Sequence, residues 1–220
     1  DRAYAAGELV TIRFKHFATP KKGVYFVPEG KQGNIQTHGP QIWTQGEPDE
    51  ARHWFPSFDF PSDKATTEQF ITAEKGQTII GNGGLIDQKQ HSDGTTTSHF
   101  KMNVPHSTYL ISFVIGEYSK KADKYNEIPL GYYVYPGKEW IVPKAFGKTR
   151  DILRIFEELT GITYPFNKYD QTIVAGFQEF SGMENITATT LADTDIFFAN
   201  NPFGASLVED LVSHEAAHSW

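Results

Sequence analysis

The stretch that decides the fold stands at the C-terminal end of the sequence: His214-Glu215-Ala216-Ala217-His218-Ser219-Trp220. It contains an HExxH motif. Residues four positions apart lie on one face of an α-helix, so His214 and His218 can direct imidazole nitrogens to one metal ion about 2 Å away. Between them, Glu215 can take a proton from a metal-activated water, as hydrolases with this motif require. The motif therefore predicts a zinc site with His214 and His218 as ligands and Glu215 as the catalytic base.

The residues before the motif predict the helix that such a site needs. Ser206 followed by Glu209 has the form of a capping box, which marks a helix N-terminus. Apolar residues then recur at helical spacing, namely Leu207, Val208, Leu211 and Val212. We therefore expect a helix from about residue 207 onward. Two helical histidines that bind no metal are the alternative, so the motif needs a second feature beside it.

That second feature is the segment Ser181-Gly182-Met183-Glu184-Asn185, which follows the stretch VAGFQEF at 174–180. A Gly-x-Met-Glu-Asn segment at this distance before HExxH resembles the aminopeptidase N family of gluzincin metallopeptidases, which includes the bifunctional leukotriene hydrolases. Ser181 replaces the usual first glycine. The resemblance covers about residues 9 to 220, with further matches at Thr44-Gln45-Gly46-Glu47, 51–59, 64–66, 164–166, 168–170 and 218–220.

The resemblance implies how a substrate would be recognised. An aminopeptidase must recognise a free N-terminus, and a carboxylate is the natural partner of an ammonium group. By resemblance Glu184 takes that role with help from Glu47, and Gly182 and its neighbours lie along the peptide as an edge strand. The other substrate-binding residues that it implies are Gln45, Met183 and Asn185. Taken alone, Glu184 could be a surface residue in a turn, and Glu47 could belong to a solvated acidic loop.

Composition excludes several classes of protein. The chain has 220 residues, of which 39% are hydrophobic and 14% aromatic, enough to bury a core of one large domain or parts of two. A net charge of −7 gives no footprint for nucleic acid or an anionic membrane. The absence of cysteine excludes disulfides and thiolate metal sites. No apolar run approaches the ~20 residues of a membrane span, and localisation stays open between cytoplasmic and exported.

Hydrophobic patterns divide the chain into a β-rich first part and a mixed second part. Strands are predicted by alternation at 10–14 and by short apolar runs at 24–27, 77–80 and 109–115. Turns are predicted at 81–84 and 91–94. In the second part, Ile152, Ile155, Phe156 and Leu159 have helical spacing and Gly161 is a plausible C-terminal cap. Strands at 171–174 and 187–191 then precede the HExxH helix.

These patterns predict an α+β protein. The resemblance implies an N-terminal β-sandwich or saddle that lacks its first strands, in residues 1–125. It is followed by the beginning of a thermolysin-like zincin catalytic domain in residues 126–220, truncated after the HExxH motif. By the family pattern, a glutamate on a later helix is the third zinc ligand, and a tyrosine stabilises the oxyanion. We therefore expect part of a longer enzyme, inactive without its missing C-terminal part.

The expected function is zinc-dependent hydrolysis of N-terminal residues from peptides with a free N-terminus. Three alternatives stay open: a non-catalytic scaffold relative of the same fold, an endopeptidase or epoxide hydrolase on that scaffold, and a β-rich binding module with an accidental HExxH. The intact His214, Glu215 and His218 argue against the scaffold. The Glu184 segment favours action on the free N-terminus.

Overall fold

The computed structural model describes residues 2–33, 35–177 and 181–220. Its strands are β1 Val24–Val27, β2 Gly30–Gln32, β3 Ile35–His38, β4 Gln41–Thr44, β5 Ala65–Ala73, β6 Thr78–Gly81, β7 Gly84–Gln90, β8 Thr96–His106, β9 Phe113–Gly116, β10 Ser119–Tyr125, β11 Ile128–Val134, β12 Tyr169–Val174, β13 Gly182–Met183 and β14 Ala188–Ala192. Its helices are α1 Val142–Ala145, α2 Thr149–Thr160, α3 Asp193–Phe198 and α4 Ala205–Ala217. Short 3-10 turns lie at Ala51–His53, Thr108–Leu110 and Glu139–Ile141. Strands dominate the first part and helices join them later, which confirms the predicted α+β class.

The first part of the chain forms antiparallel sheets. One has the strand order β1-β4-β9-β6, a second has the order β5-β8-β7, and β2 pairs with β3. The strands predicted at 24–27 and 77–80 correspond to β1 and β6, whereas the run at 109–115 divides between a 3-10 turn and β9. Gly83 and Gly94 have φ angles of 76° and 90°. Both predicted turns are therefore confirmed, and they join β6 to β7 and β7 to β8.

The alternating residues 10–14 do not form a strand, so that prediction was wrong. Val10, Ile12 and Phe14 are exposed and lie outside every strand and helix of the described chain. Alternation specifies which side chains share a face, but a strand also needs a neighbour for its backbone N–H and C=O groups. Among the described strands, none pairs with this segment.

The second part of the chain is built on a five-stranded mixed sheet with the order β10-β11-β12-β14-β13. The strand β12 runs parallel to β11 and β14, and the edge strands β10 and β13 are antiparallel to their neighbours. The strands predicted at 171–174 and 187–191 are confirmed as β12 and β14. Every residue of both strands is buried, as expected for central strands that are covered on both faces.

Two apolar clusters cover the two faces of this sheet. On one face, helices pack on strands through a cluster that includes Leu153, Ile173, Leu191 and Val212. On the other face, Val174 and Ala188 pack against Trp43, Ile80 and Val114 of the first sheet. The Trp43 indole N–H also donates a hydrogen bond to the Ala175 carbonyl at 3.0 Å. The two sheets therefore share a packed boundary, and the division of the chain at residue 125 stays a prediction.

Helix α2 confirms the prediction of a helix that ends at Gly161. This glycine has a left-handed φ of 71°, and its N–H bonds to the Glu157 carbonyl as a C-terminal cap. Ile152 and Leu153 are buried, whereas Ile155 and Leu159 are exposed. The predicted apolar stripe is therefore only partly covered. Across the described residues, no helix has the length and apolar character needed to cross a membrane.

Helix α4 carries the HExxH motif, but it begins two residues before the predicted start. Gly204 occupies the N-cap position without a side-chain cap, so the predicted capping box is wrong. Ser206 instead lies inside the first turn, and Glu209 forms an ion pair with Lys148. The buried face of the helix consists of Val208, Val212, Glu215 and Ala216. Leu207, which was predicted to belong to that face, is exposed.

Candidate active site

The two histidines of the motif lie together on the open side of helix α4. His214 belongs to the last turn, and His218 is the C-cap residue and retains helical backbone angles. Their Nε2 atoms are 3.3 Å apart, and both residues are exposed. This is the arrangement that i and i+4 spacing predicts, and both rings can reach one ion.

Glu215, in the same turn of the helix, is buried. Only 5% of the residue is exposed, and the pKa of its carboxyl is raised to about 8, first by burial and then by the nearby charges of Glu184 and Glu47. Donor atoms of Glu184, Glu215 and His218 lie within 4.8 Å of one another. The helix therefore meets a cluster of carboxylates contributed by distant parts of the chain.

The edge strand β13 supplies the surface next to Glu215. A Cβ atom on Gly182 would overlap the Glu215 carboxylate, so only glycine allows the strand to approach helix α4 this closely. Gly182 and Met183 pair with Leu191 and Thr190 of β14, and no strand of the described chain pairs with the other side of β13. This side can accept the backbone of an added strand.

Glu184 and Glu47 form the acidic part of the site. Glu184 accepts a hydrogen bond of 3.1 Å from the Tyr109 hydroxyl and lies 3.9 Å from Nδ1 of His218. Burial, followed by the charge of Glu184, raises the pKa of Glu47, whereas His218 lowers it. The two carboxylates interact electrostatically although their residues are far apart in sequence. A cation would relieve their mutual repulsion.

The three remaining predicted substrate-binding residues, Gln45, Met183 and Asn185, lie in different surroundings. Gln45 is 3% exposed, and neither atom of its side-chain amide has a hydrogen-bond partner among the described residues. A buried amide without partners costs about 1–3 kcal/mol, and the role of Gln45 in substrate binding stays a prediction. The side chain of Met183 is fully buried in the protein, and the Asn185 amide donates to Thr190 at 3.0 Å. Oδ1 of Asn185 is buried without a hydrogen-bond partner among the described residues, and the assignment of Met183 and Asn185 to substrate binding stays a prediction.

A buried polar clamp holds the segment that follows Glu184. The Asn82 amide donates to the Ile186 carbonyl at 2.8 Å and accepts from the Ser112 N–H at 2.7 Å. The Gly83 N–H donates to the Thr187 hydroxyl at 2.7 Å, and Thr187 has a positive φ of 62°. The Gly81–Gly84 stretch was predicted only as a turn. It also fixes the backbone that carries Glu184, which sequence reasoning missed.

Tyr109 is the other residue of the site that the sequence did not reveal. It lies 75 positions from the carboxylate that it contacts. It was included only in the apolar run 109–115, where an aromatic residue indicates a strand. Only the folded chain brings this hydroxyl to Glu184.

Comparison with known families shows which class of peptidase the chain belongs to. A model of the Peptidase M1 N-terminal domain matches residues 8–110, and a model of the Peptidase family M1 domain matches residues 144–220. The chain belongs to peptidase family M1, as the resemblance predicted. Gln178, Glu179 and Phe180, which belong to the stretch that carried the resemblance, lie outside the described residues.

Individual relatives agree with this family. Endoplasmic reticulum aminopeptidase 1 of Mus musculus is 31% identical over 227 residues, which cover 98% of this chain and 24% of that protein. Glutamyl aminopeptidase of Homo sapiens is 30% identical, with 81% of this chain and 19% of that protein covered. The mitochondrial aminopeptidase 2 of Saccharomyces cerevisiae is 31% identical, with 80% of this chain and 19% of that protein covered. The chain thus spans about a fifth to a quarter of the length of these relatives.

Proposed function

We propose that the whole protein is a zinc-dependent aminopeptidase that hydrolyses N-terminal residues from peptides. The proposal rests above all on the grouping of His214, His218, Glu215 and Glu184 where helix α4 meets strand β13. The relatives described above are themselves named as aminopeptidases, which supports the same class of reaction.

The donor set of the site fits zinc. Two imidazole nitrogens 3.3 Å apart on an exposed helix face are suited to a borderline-soft cation. A bound zinc ion would supply Lewis acidity, which polarises a carbonyl group and makes a water molecule more acidic. His214 and His218 would hold this ion, and the nearby carboxylates would compensate its charge.

Glu215 acts as the proton carrier in this proposal. In the sequence, Glu215 lies between the two histidines, and in the structure its side chain is buried. A general base must be ionised before it can accept a proton. Burial and the charges of Glu184 and Glu47 raise the pKa of Glu215, and a cation bound next to it would lower that pKa again. Glu215 accepts a proton from the attacking water and returns it to the leaving amine.

The acidic cluster binds the N-terminal ammonium group of the substrate. The Glu184 side chain is 10% exposed, and burial and the charge of Glu184 raise the pKa of Glu47, so a positive ammonium is a better neighbour for these carboxylates than a neutral amide. The Gln45 amide adds hydrogen-bonding atoms that the described protein leaves unused. The free edge of β13 holds the peptide backbone as an added strand. Endopeptidase action would not use these carboxylates.

Residues 1–220 are expected to be inactive without the rest of the protein. Catalytic zinc sites normally have three protein ligands, and the described residues contribute two imidazoles to this one. Glu184 is close enough to be considered as a third ligand, but that would remove it from the binding of the ammonium group. Tight stoichiometric zinc and turnover by this segment alone would contradict the expectation.

The first experiment separates metal binding, base catalysis and amine binding in the full-length protein. Glu215→Gln should keep stoichiometric zinc and lower kcat about 10²- to 10⁴-fold, because the proton acceptor is lost. Glu184→Gln should also keep zinc, but it should raise KM for aminoacyl substrates. The matched control is Asp210→Asn, which removes an exposed acid from the same helix. Loss of zinc in Glu184→Gln would make Glu184 a metal ligand and overturn its assigned role.

A second experiment tests the reaction class with paired substrates. Aminoacyl anilides with a free amine should be hydrolysed, and their N-acetylated counterparts should not, because acetylation removes the positive charge. Equal cleavage of both forms would indicate an endopeptidase. Zinc-free protein without turnover would favour the scaffold or binding-module alternatives, and unchanged activity in both glutamine variants would refute the proposed roles.

A further inference from the structure

We propose that Tyr109 is a positioning residue that orients the Glu184 carboxylate toward the substrate ammonium group. The inference rests on the proposed function and adds a residue to it. Tyr109 lies in the 3-10 turn Thr108–Leu110, between β8 and β9. Its hydroxyl donates a hydrogen bond of 3.1 Å to Oε1 of Glu184. The turn thus contributes a side chain to a site whose other polar groups lie on β13, on helix α4 and after β4.

The backbone of this turn contacts both acidic segments. A Cβ atom on Gly46 would overlap the carbonyl oxygen of Tyr109, so the residue before Glu47 lies directly on the turn. On the other side, the Ile186 N–H donates to the Leu110 carbonyl at 3.1 Å. Because these contacts fix the turn at Gly46 and at Ile186, the Tyr109 side chain has a defined position relative to both carboxylates.

A neutral donor suits this position better than a cation. A carboxylate can accept several hydrogen bonds, so a hydroxyl bound to Oε1 holds its orientation and leaves Oε2 free for another donor. A lysine or arginine in the place of Tyr109 would neutralise Glu184 and weaken its attraction for a substrate cation. Tyr109 fixes the carboxylate without removing its charge.

The surroundings also keep the phenol in its donor form. Burial, together with the nearby Glu184 and Glu47 charges, raises the pKa of Tyr109 far above its usual range. The hydroxyl therefore keeps its proton at neutral pH. The proposal rests on the position of the turn and on the hydrogen bond to Glu184, and the raised pKa of Tyr109 is consistent with it.

The test compares two Tyr→Phe variants of the full-length, zinc-loaded enzyme. Tyr109→Phe removes the hydrogen bond to Glu184, and Tyr125→Phe removes a similar bond of 2.6 Å from Tyr125 to Glu157, away from the site. Hydrogen bonds to charged groups have a large effect on binding, so Tyr109→Phe should raise KM for free-amine aminoacyl anilides about tenfold, with kcat changed less than about threefold. Tyr125→Phe should leave both constants unchanged.

A binding measurement separates failure of this proposal from failure of the proposed function. Calorimetry in the Glu215→Gln background would compare leucine amide with N-acetyl-leucine amide, before and after Tyr109→Phe. The positioning role is supported if the preference for leucine amide over N-acetyl-leucine amide falls about tenfold in Tyr109→Phe. Preserved preference with unchanged affinity overturns it, as does an equal change of KM in Tyr125→Phe. Absence of any preference before the substitution overturns amine recognition itself.

Discussion

The close contact between Gly182 and Glu215 depends on the absence of a single methyl group. Glycine is the only residue that lets β13 lie against the carboxylate. The sequence suggested Gly182 through the resemblance alone, because nothing in its local pattern points to a contact with Glu215, which follows 33 positions later. The reason for this glycine is therefore visible only in three dimensions.

Gly182→Ala is expected to displace Glu215 or β13 and to lower kcat/KM of the full-length enzyme about 10²-fold, since small displacements of catalytic groups have effects of this size. Steady-state kinetics with zinc analysis would measure it. Gly39→Ala is the matched control, because its Cβ would come no closer than 3.2 Å to the side chain of Glu117, which is exposed, whereas Glu215 is buried. Wild-type kinetics in Gly182→Ala would contradict the close contact.

The buried side chain of His106 should make the stability of the folded protein depend on pH. It is 3% exposed, its Nδ1–H donates to the Val104 carbonyl at 2.8 Å, and Nε2 accepts from the Thr67 hydroxyl. Burial lowers the pKa of His106 below its ordinary value of 6.5, so the unfolded chain binds the proton more readily than the folded one. The stabilisation is present above pH 6.5 and is lost as the pH falls through and below that value.

Urea denaturation at pH 7.5 and pH 5.0 would measure this loss. His106→Gln should show a smaller decrease in the free energy of unfolding between the two pH values than the unsubstituted protein does. His16→Gln, at an exposed position, serves as the control and should keep the original decrease. An identical decrease in all three proteins would exclude His106 as the source.

At the scale of the elements, the HExxH helix and the strands around it could be predicted, but their ends could not. Val208, Val212 and Ala216 are buried as helical spacing requires. The start of α4 depends instead on Gly204, where a Cβ atom would overlap the Phe198 carbonyl. This contact with the end of α3 is tertiary, so the local Ser206 and Glu209 pair could not reveal it. The segment 10–14 failed as a strand for a related reason, because pairing is not a local property.

The Asn82 clamp connects two sheets and should be important for stability. Asn82→Ala leaves the Ile186 carbonyl and the Ser112 N–H buried without their partners, which should lower the free energy of unfolding by about 2–4 kcal/mol. Urea denaturation would measure the change. Asn103→Ala, at an exposed position of β8, should change it by less than about 0.5 kcal/mol. Equal effects of both substitutions would show that the clamp contributes little.

At the scale of the whole molecule, apolar groups remain uncovered. Leu9, Ile12, Phe14 and Phe17 are 94%, 69%, 67% and 96% exposed. A groove of about 640 Å³ between the sheets is also open and is lined in part by Phe26, Ile42, Ala73 and Ile115. Sequence patterns identified these residues as apolar but could not tell which of them have partners. Exposed apolar surface of this extent favours association.

Residues 1–220 expressed alone should therefore self-associate at micromolar concentration, which sedimentation velocity would detect. Replacing both Ile12 and Phe14 by Glu should shift the protein toward monomer, because it removes apolar surface. The control replaces Thr11 and Thr19 by Glu, which adds the same charge at exposed polar positions. An equal shift in the control would attribute the effect to charge alone.

The 3.9 Å between Glu184 and His218 also has a consequence for the products. Because the carboxylate that would hold the amine adjoins one of the histidines, a peptide anchored by its amine at Glu184 would bring its N-terminal residue, rather than a later one, to the histidines. Only its first peptide bond would then be in register for cleavage. A long peptide would be shortened as a ladder of one-residue steps, and its digest would contain free amino acids without dipeptides.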